Sequence, residues 1–253
     1  MERPLRHTDQ PLGFLSGEQI LGVWEAGREQ HELDRALTIL AAALPESSRE
    51  ELADLSIGEL NTRLLKLRTL MFGARAVAFA ECPRCSERLE FPIDTATMAR
   101  PTTITAQPYQ FEVNGTRVRF RLPSSRDLAE VVAARDSSHA LRQLVRNCVV
   151  EVIKAGLSDP GELQPELVDA LAQAMLDADA LAEISIALTC PNCGHEWETF
   201  FEVADFFWNE LAARATRLLR EIDTLARTYG WNEREILALS VRRRQTYLEL
   251  IEA

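Results

Sequence analysis

Five cysteines hold the side chains whose types and spacing suggest chemistry. Four form two pairs with the same local grammar, Cys82-Pro83-Arg84-Cys85 and Cys190-Pro191-Asn192-Cys193, and Cys148 stands alone. An odd count argues against a disulfide framework. So do the first residues, Met1 to His7, which lack the apolar core of a signal peptide. A C-x-x-C pair serves redox chemistry or metal binding. Reactive redox pairs typically sit at a helix N-terminus. Here each pair falls between strand-like runs: Val77 to Glu81 and Leu89 to Phe91 around the first, Ile184 to Thr189 and Glu196 to Phe200 around the second. A small residue, Ser86 or Gly194, follows each pair and lets the backbone turn its amides toward sulfur. Two such knuckles supply four thiolates, Cys82, Cys85, Cys190 and Cys193. That donor set suits tetrahedral Zn²⁺ and leaves no open position for a catalytic water, so the zinc is expected to be structural. His195 is expected to face solvent beside the second knuckle. Cys148 shares a helical face with Leu141, Leu144, Val145 and Val152 and reads as a small buried apolar residue.

The two pairs are far apart in the chain, with 104 residues between Cys85 and Cys190. This spacing predicts a split zinc ribbon that carries a folded insertion between its knuckles. The expected class is α+β and mainly helical. Five regions follow: N-terminal helices over 1–73, the first knuckle over 74–94, an inserted hairpin with helices over 95–183, the second knuckle over 184–203, and C-terminal helices over 204–253.

The elements that must position the knuckles have their own signals. Ser16 with Gln19, and Ser56 with Glu59, form capping boxes. Leu33, Ala36, Leu37, Leu40 and Leu44 repeat at helical spacing up to Pro45, and Leu60, Leu64, Leu67 and Met71 do so up to Gly73. Asn114-Gly115 between alternating strands predicts a hairpin. Ser124 and Ser125 can cap a helix from Arg126, and helices are expected near 126–136, 138–156 and 163–178. Asp177, Asp179 and Glu183 read as a solvated turn, because acids are seldom buried. Beyond the second knuckle, Phe207, Leu211, Ala215, Leu218, Ile222, Leu225 and Tyr229 line one face of a long helix ended by Gly230. Asn232 and Glu235 cap a short helix, and Arg242, Arg243 and Arg244 open the last one.

The 28 basic and 39 acidic residues leave a net charge of -11, which repels phosphate backbones and anionic lipid. No apolar run reaches the ~18 residues of a membrane span. A cytoplasmic protein without a membrane span is expected. Walker, G-x-G-x-x-G, G-x-S-x-G and H-E-x-x-H motifs are absent from the sequence, which argues against an enzyme. The competing class is a zinc-ribbon nucleic-acid-binding or transcription-associated module. Its basic face is missing: near the knuckles, Arg84 and Arg88 stand against Glu81, Glu87, Glu90, Glu196 and Glu198.

Four stretches together resemble a known family. They are the run from Ser56 to Gly73, the first knuckle, the segment from Phe120 to Leu128, and the tail Tyr229-Gly230-Trp231-Asn232-Glu233-Arg234-Glu235-Ile236-Leu237. The tail resembles the T4-type phage baseplate protein and hub assembly chaperone family. The whole chain is similar to zinc-knuckle proteins of bacterial contractile injection systems. The resemblance implies a non-enzymatic part that stays in the baseplate or helps its hub assemble, with baseplate or tail proteins as partners. In that setting Trp231, Arg242, Arg243, Arg244 and Tyr247 are the expected partner-binding residues, being of the types that dominate binding hot spots. The alternative is that the C-terminal stripe packs inside the protein and its arginines are solvated.

Overall fold

A computed structural model describes residues 11–99, 108–113, 115–132, 134, 136–154 and 164–252. In chain order the elements are α1 (Gly17–Gly27), α2 (Glu32–Ala43), α3 (Arg49–Ala53), α4 (Ile57–Phe72), β1 (Arg75–Glu81), β2 (Arg88–Asp94), α5 (Thr95–Met98), β3 (Tyr109–Val113), β4 (Thr116–Phe120), α6 (Ser125–Val131), α7 (Ser137–Cys148), β5 (Val149–Lys154), α8 (Pro165–Ala178), β6 (Ser185–Thr189), β7 (Glu196–Phe200), α9 (Val203–Tyr229), α10 (Glu233–Ala238) and α11 (Val241–Glu252). The class is α+β and mostly helical, as expected.

The chain folds as two compact units. The first joins residues 1–45 to 204–253. Its axis is α9, whose Phe207, Leu211, Ala215, Leu218 and Leu225 are fully buried. Against it lie α1 and α2. The Ser16 capping box starts α1, and Leu44 ends α2 with its amide on the Leu40 carbonyl at 2.9 Å. Gly27 is the contact point. A Cβ there would sit 2.4 Å from the Trp208 ring, which also carries the Arg35 guanidinium at 4.9 Å. Within 1–73, α1 and α2 lie in the first unit with the C-terminal helices, and α3 and α4 lie in the second. Pro45 lies between α2 and α3, and Gly17 and Gly27 of α1 stand against Leu218 and Trp208 of α9.

The second unit spans residues 46–203. It holds two separate two-stranded hairpins, β1–β2 and β6–β7, and a three-stranded antiparallel sheet in the order β3-β4-β5. The Asn-Gly hairpin forms as expected, with Gly115 at φ 73; Asn114 lies outside the described residues. Val118 and Phe120 face α7 and α8 and build one core with Val145, Cys148, Val168, Leu171 and Met175. Cys148 is thus buried, as expected, and burial pushes its thiol up to about 12.

One expectation fails here. The helix expected over 138–156 ends at Cys148, and β5 begins at the next residue. Val149, Val150, Val152 and Ile153 are β-branched and lose rotamer freedom in a helix; Val149, Val152 and Ile153 pair with β4, where Val152 stands opposite Val118, and Val150 falls at a shift of register. Val152 accordingly joins the same core from a strand instead of extending the Cys148 helical face. The first insertion helix stops at Val131, and α8 starts on Pro165, whose missing N–H costs nothing in a first turn.

A second correction concerns the acidic link. Asp177 and Glu183 are exposed, but Asp179 is buried. Its carboxylate accepts the Gly58 N–H at 2.9 Å, at the start of α4 and 121 residues away. Burial pushes its carboxyl above the usual range, against the Gly58 amide and the Ser56 hydroxyl, which lower it. Gly58 makes the approach possible, since a Cβ there would stand 1.7 Å from Asp179 Oδ1. Asn61 Nδ2 donates to the Leu181 carbonyl at 2.8 Å, and the Ile57 amide to the Pro123 carbonyl at 3.1 Å. Three distant segments thus meet at the first turn of α4.

Candidate metal centre

Each cysteine pair lies at the tip of a hairpin, and both tips turn in the same way. In the first, the Ser86 amide donates to the Cys82 carbonyl at 2.9 Å and the Cys82 amide to the Glu87 carbonyl at 2.9 Å. In the second, the Gly194 amide donates to the Cys190 carbonyl at 2.9 Å and the Cys190 amide to the His195 carbonyl at 2.8 Å. The residue after each pair has positive φ: Ser86 at 56 and Gly194 at 67. Ser86 is the one non-glycine described residue in that region, so the first turn is held at a cost that glycine avoids in the second.

The hairpins are anchored at their bases. Buried Arg68, in the last turns of α4, donates to the Gly73 and Arg75 carbonyls where β1 begins. Thr95, fully buried after β2, returns its amide to the Ala74 carbonyl at 2.9 Å and meets Thr69 Oγ1 at 2.8 Å. The second hairpin is closed by the Phe201 amide on the Ile184 carbonyl at 2.8 Å.

The four cysteines come together at the hairpin tips. The Sγ atoms of Cys82, Cys85, Cys190 and Cys193 all lie within 4.8 Å of one another. Cys82 Sγ is 3.7 Å from Cys193 Sγ, and Cys85 Sγ is 3.6 Å from Cys190 Sγ. A regular tetrahedron of sulfur around a metal at about 2.3 Å has edges of about 3.8 Å. The cluster therefore has the size of a metal-thiolate shell. Cys82 and Cys190 are 1 % exposed, Cys193 is half-buried and Cys85 is exposed. Leu89 and Trp197 close the apolar side. His195 is not part of the sulfur group; it is half-buried and stacks on Trp197 with centroids 6.0 Å apart.

The thiols are electrostatically unequal. The Glu87 amide, helped by Cys193, Cys190 and Asn192, holds Cys85 down at about 7 against desolvation. For Cys193 the His195 amide lowers the value, but desolvation and the neighbouring thiols raise it to about 12. Four crowded thiols thus release one proton easily and another with difficulty. A divalent cation resolves that conflict by replacing the protons.

The residues expected to bind a partner are placed less uniformly. Trp231 is half-buried between Tyr229, at 4.7 Å, and Tyr247, at 4.9 Å between ring centroids. Arg242 and Arg243 are exposed on α11. Arg244 corrects the expectation: it is 3 % exposed, and its Nε pairs with Glu221 at 3.0 Å. Glu221 also holds Arg214 at 2.9 Å. Helical spacing turns Arg244 inward, toward α9, so it ties α11 to its own unit.

Sequence reasoning missed two polar contacts. The Asp179–Gly58 contact has no local signal, since its partners lie 121 residues apart. Arg121 grips buried Asp127 through two bonds, at 2.6 and 2.7 Å, and also donates to the Asn147 carbonyl at 3.0 Å. A Ser-x-x-Asp cap shortly after an arginine at the strand's end was the available clue.

No helix among the described residues is long and apolar enough to cross a membrane. No curated protein and no solved structure matches the chain. The sequence model of one family, described as T4 bacteriophage base plate protein, matches residues 18–208, a stretch that includes both cysteine knuckles. The match covers most of the chain, which belongs to the T4 bacteriophage base plate protein family.

Proposed function

We propose that this protein is a non-enzymatic part of the baseplate of a phage-tail-like contractile injection system, either built into the plate or assisting assembly of its hub. The family match over residues 18–208 carries this reading. The four-cysteine cluster supports a structural zinc ion held by Cys82, Cys85, Cys190 and Cys193, because four thiolates leave no ligand position for substrate. The arrangement amounts to a split zinc ribbon: 74–94 and 184–203 supply the knuckle hairpins and 95–183 is carried between them. Zinc would act here as a clasp that holds the two ends of the insertion together.

The C-terminal helices are proposed as the docking element toward baseplate or tail proteins. Exposed Arg242 and Arg243 on α11, the helix that also carries Tyr247 of the Trp231 aromatic group, support this. The test is co-expression with the baseplate and tail proteins of the same gene cluster, using the full chain and a chain lacking residues 231–253. The full chain should co-purify with baseplate components. The shortened chain should keep its zinc and lose the partner. Aggregation or loss of zinc in the shortened chain would show instead that the tail is core. Recovery in finished particles identifies a permanent subunit, and recovery only in assembly intermediates identifies a chaperone.

A further inference from the structure

A side-chain amide crosses between the two knuckles. Asn192, inside the Cys190-Pro191-Asn192-Cys193 turn, donates from Nδ2 to Cys85 Sγ of the other knuckle at 3.7 Å, 107 positions away in the chain. We infer that Asn192 is a positioning residue of the metal centre, whose amide steadies the negative charge on the Cys85 sulfur and thereby tightens the hold on the ion and shields that ligand from attack. This deepens the metal-clasp reading and rests on it for the bound ion.

The contact falls on the sulfur that most needs it. Cys82 and Cys190 are buried and Cys193 is half-buried, whereas Cys85 is exposed. Water, protons and reagents reach this ligand first, so a thiolate shell gives way here first. A neutral thiol is a weak hydrogen-bond acceptor. A thiolate carries charge, and hydrogen bonds to charged groups are the stronger kind. Four thiolates also bring more negative charge than a divalent ion cancels, and donors to sulfur offset the excess. Groups that hydrogen-bond to metal ligands orient them and tune the metal in just this way.

The turn that places the second cysteine pair also places the amide. Its bonds from the Gly194 amide to the Cys190 carbonyl, at 2.9 Å, and from the Cys190 amide to the His195 carbonyl, at 2.8 Å, fix the backbone on both sides of Asn192. The side chain of Asn192 is exposed and touches the cluster through its polar end, so its loss removes a donor without opening a cavity. The first knuckle has Arg84 at the matching place, a longer and charged side chain. The two halves of the cluster are therefore not interchangeable: the second knuckle supplies a bond to the first.

The experiment compares the purified full-length wild type with N192A, N192D and N192Q. Aspartate keeps the shape of asparagine and cannot donate when ionised; glutamine keeps the donor. Zinc affinity is measured by competition with a chromogenic chelator. Cys85 is followed in the zinc-loaded proteins by iodoacetamide labelling mapped by mass spectrometry. The cluster is also loaded with Co²⁺, whose sulfur-to-metal charge-transfer band reports electron density on sulfur. N192A should lower zinc affinity by about 10-fold, the low end of the ~10–100-fold expected when a partner of a ligand is removed. Cys85 should be labelled faster with the other cysteines unchanged, and the charge-transfer band should move to lower energy, as it does when sulfur loses a donor. N192D should lose more affinity than N192A, and N192Q should recover part of it. Values for N192A and N192D equal to wild type overturn the inference, as does faster labelling confined to a cysteine other than Cys85. A wild type that binds neither zinc nor cobalt refutes the clasp reading itself and takes the inference with it.

Discussion

Replacing Gly58 with alanine should destabilise the second unit, and removing Asp179 should cancel the effect. Gly58 lies in the first turn of α4, and its amide donates to Asp179 Oδ2 at 2.9 Å. The new Cβ would occupy a point 1.7 Å from Asp179 Oδ1, so the carboxylate must leave. A hydrogen bond to a charged group contributes about 1.5–3 kcal/mol, and its loss strands a buried acid. Alanine returns at most about 1 kcal/mol of helix propensity, less so close to a helix start. The net cost of G58A is therefore about 1–3 kcal/mol, or a fall of about 2–10 °C in Tm for a unit of this size. In a D179A background the clash is gone, and G58A should be neutral or slightly stabilising. Scanning calorimetry of the four proteins closes the cycle, with a coupling of at least about 1.5 kcal/mol expected between these touching residues. Equal loss from G58A in both backgrounds would falsify the account of how α4 is held.

Other outcomes are equally concrete. C190S should release the metal and lower Tm, while C148S should leave metal content unchanged, both read by elemental analysis. Asp127 and Asp179 should act oppositely with pH. For Asp127 burial raises the carboxyl, but Arg121 and Ser124 together hold it below the usual range. Its contribution is present above the ordinary carboxylate pKa of about 4 and is lost as pH falls through the lower folded value. Asp179 is raised, so its contribution is present below about pH 4 and is lost as pH rises through the folded value. D179N keeps an acceptor for the Gly58 amide, so it should melt higher than wild type at neutral pH, with the difference vanishing toward pH 3; a pH-independent difference would refute the assignment. In a low-salt gel-shift titration, where phosphate contacts are strongest, no tight binding to duplex or single-stranded DNA is expected. Steeply salt-dependent retention would restore the nucleic-acid reading.

The parts of the fold that were legible in the sequence are those encoded locally. The cysteine knuckles, the capping boxes at Ser16 and Ser56, the Asn-Gly hairpin and the α9 stripe each depend on residues within a few positions. The parts that were not legible depend on distant partners. A short apolar run such as Val149 to Ile153 fits helix or strand equally until β4 supplies a neighbour. Asp179 looks like a solvated acid until Gly58 is placed against it. Arg244 looks like part of a basic run until Glu221, 23 residues earlier, turns it inward. The four thiols were identified by spacing, but their unequal acidity arises only once the two knuckles meet: backbone amides lower Cys85 and Cys193 alike, while the neighbouring thiols lower the first and raise the second.

The long interval between the knuckles also orders events in time. A ribosome adds about 5–20 residues each second, so Cys190 follows Cys85 by roughly 5–20 s. During that interval the first hairpin has only half a ligand set and cannot hold a metal in a closed shell. The insertion, whose core draws on β3 to α8, is complete before the second knuckle emerges. Closure of the four-cysteine cluster therefore comes after the insertion has been made and marks its completion. Helices α1 and α2 wait longer still, because α9 begins at Val203. Their apolar faces, with Leu21, Ile39 and Leu40, stay uncovered until nearly the whole chain has been synthesised. Nascent protein is most exposed to aggregation in this window, and the first unit is the last to close.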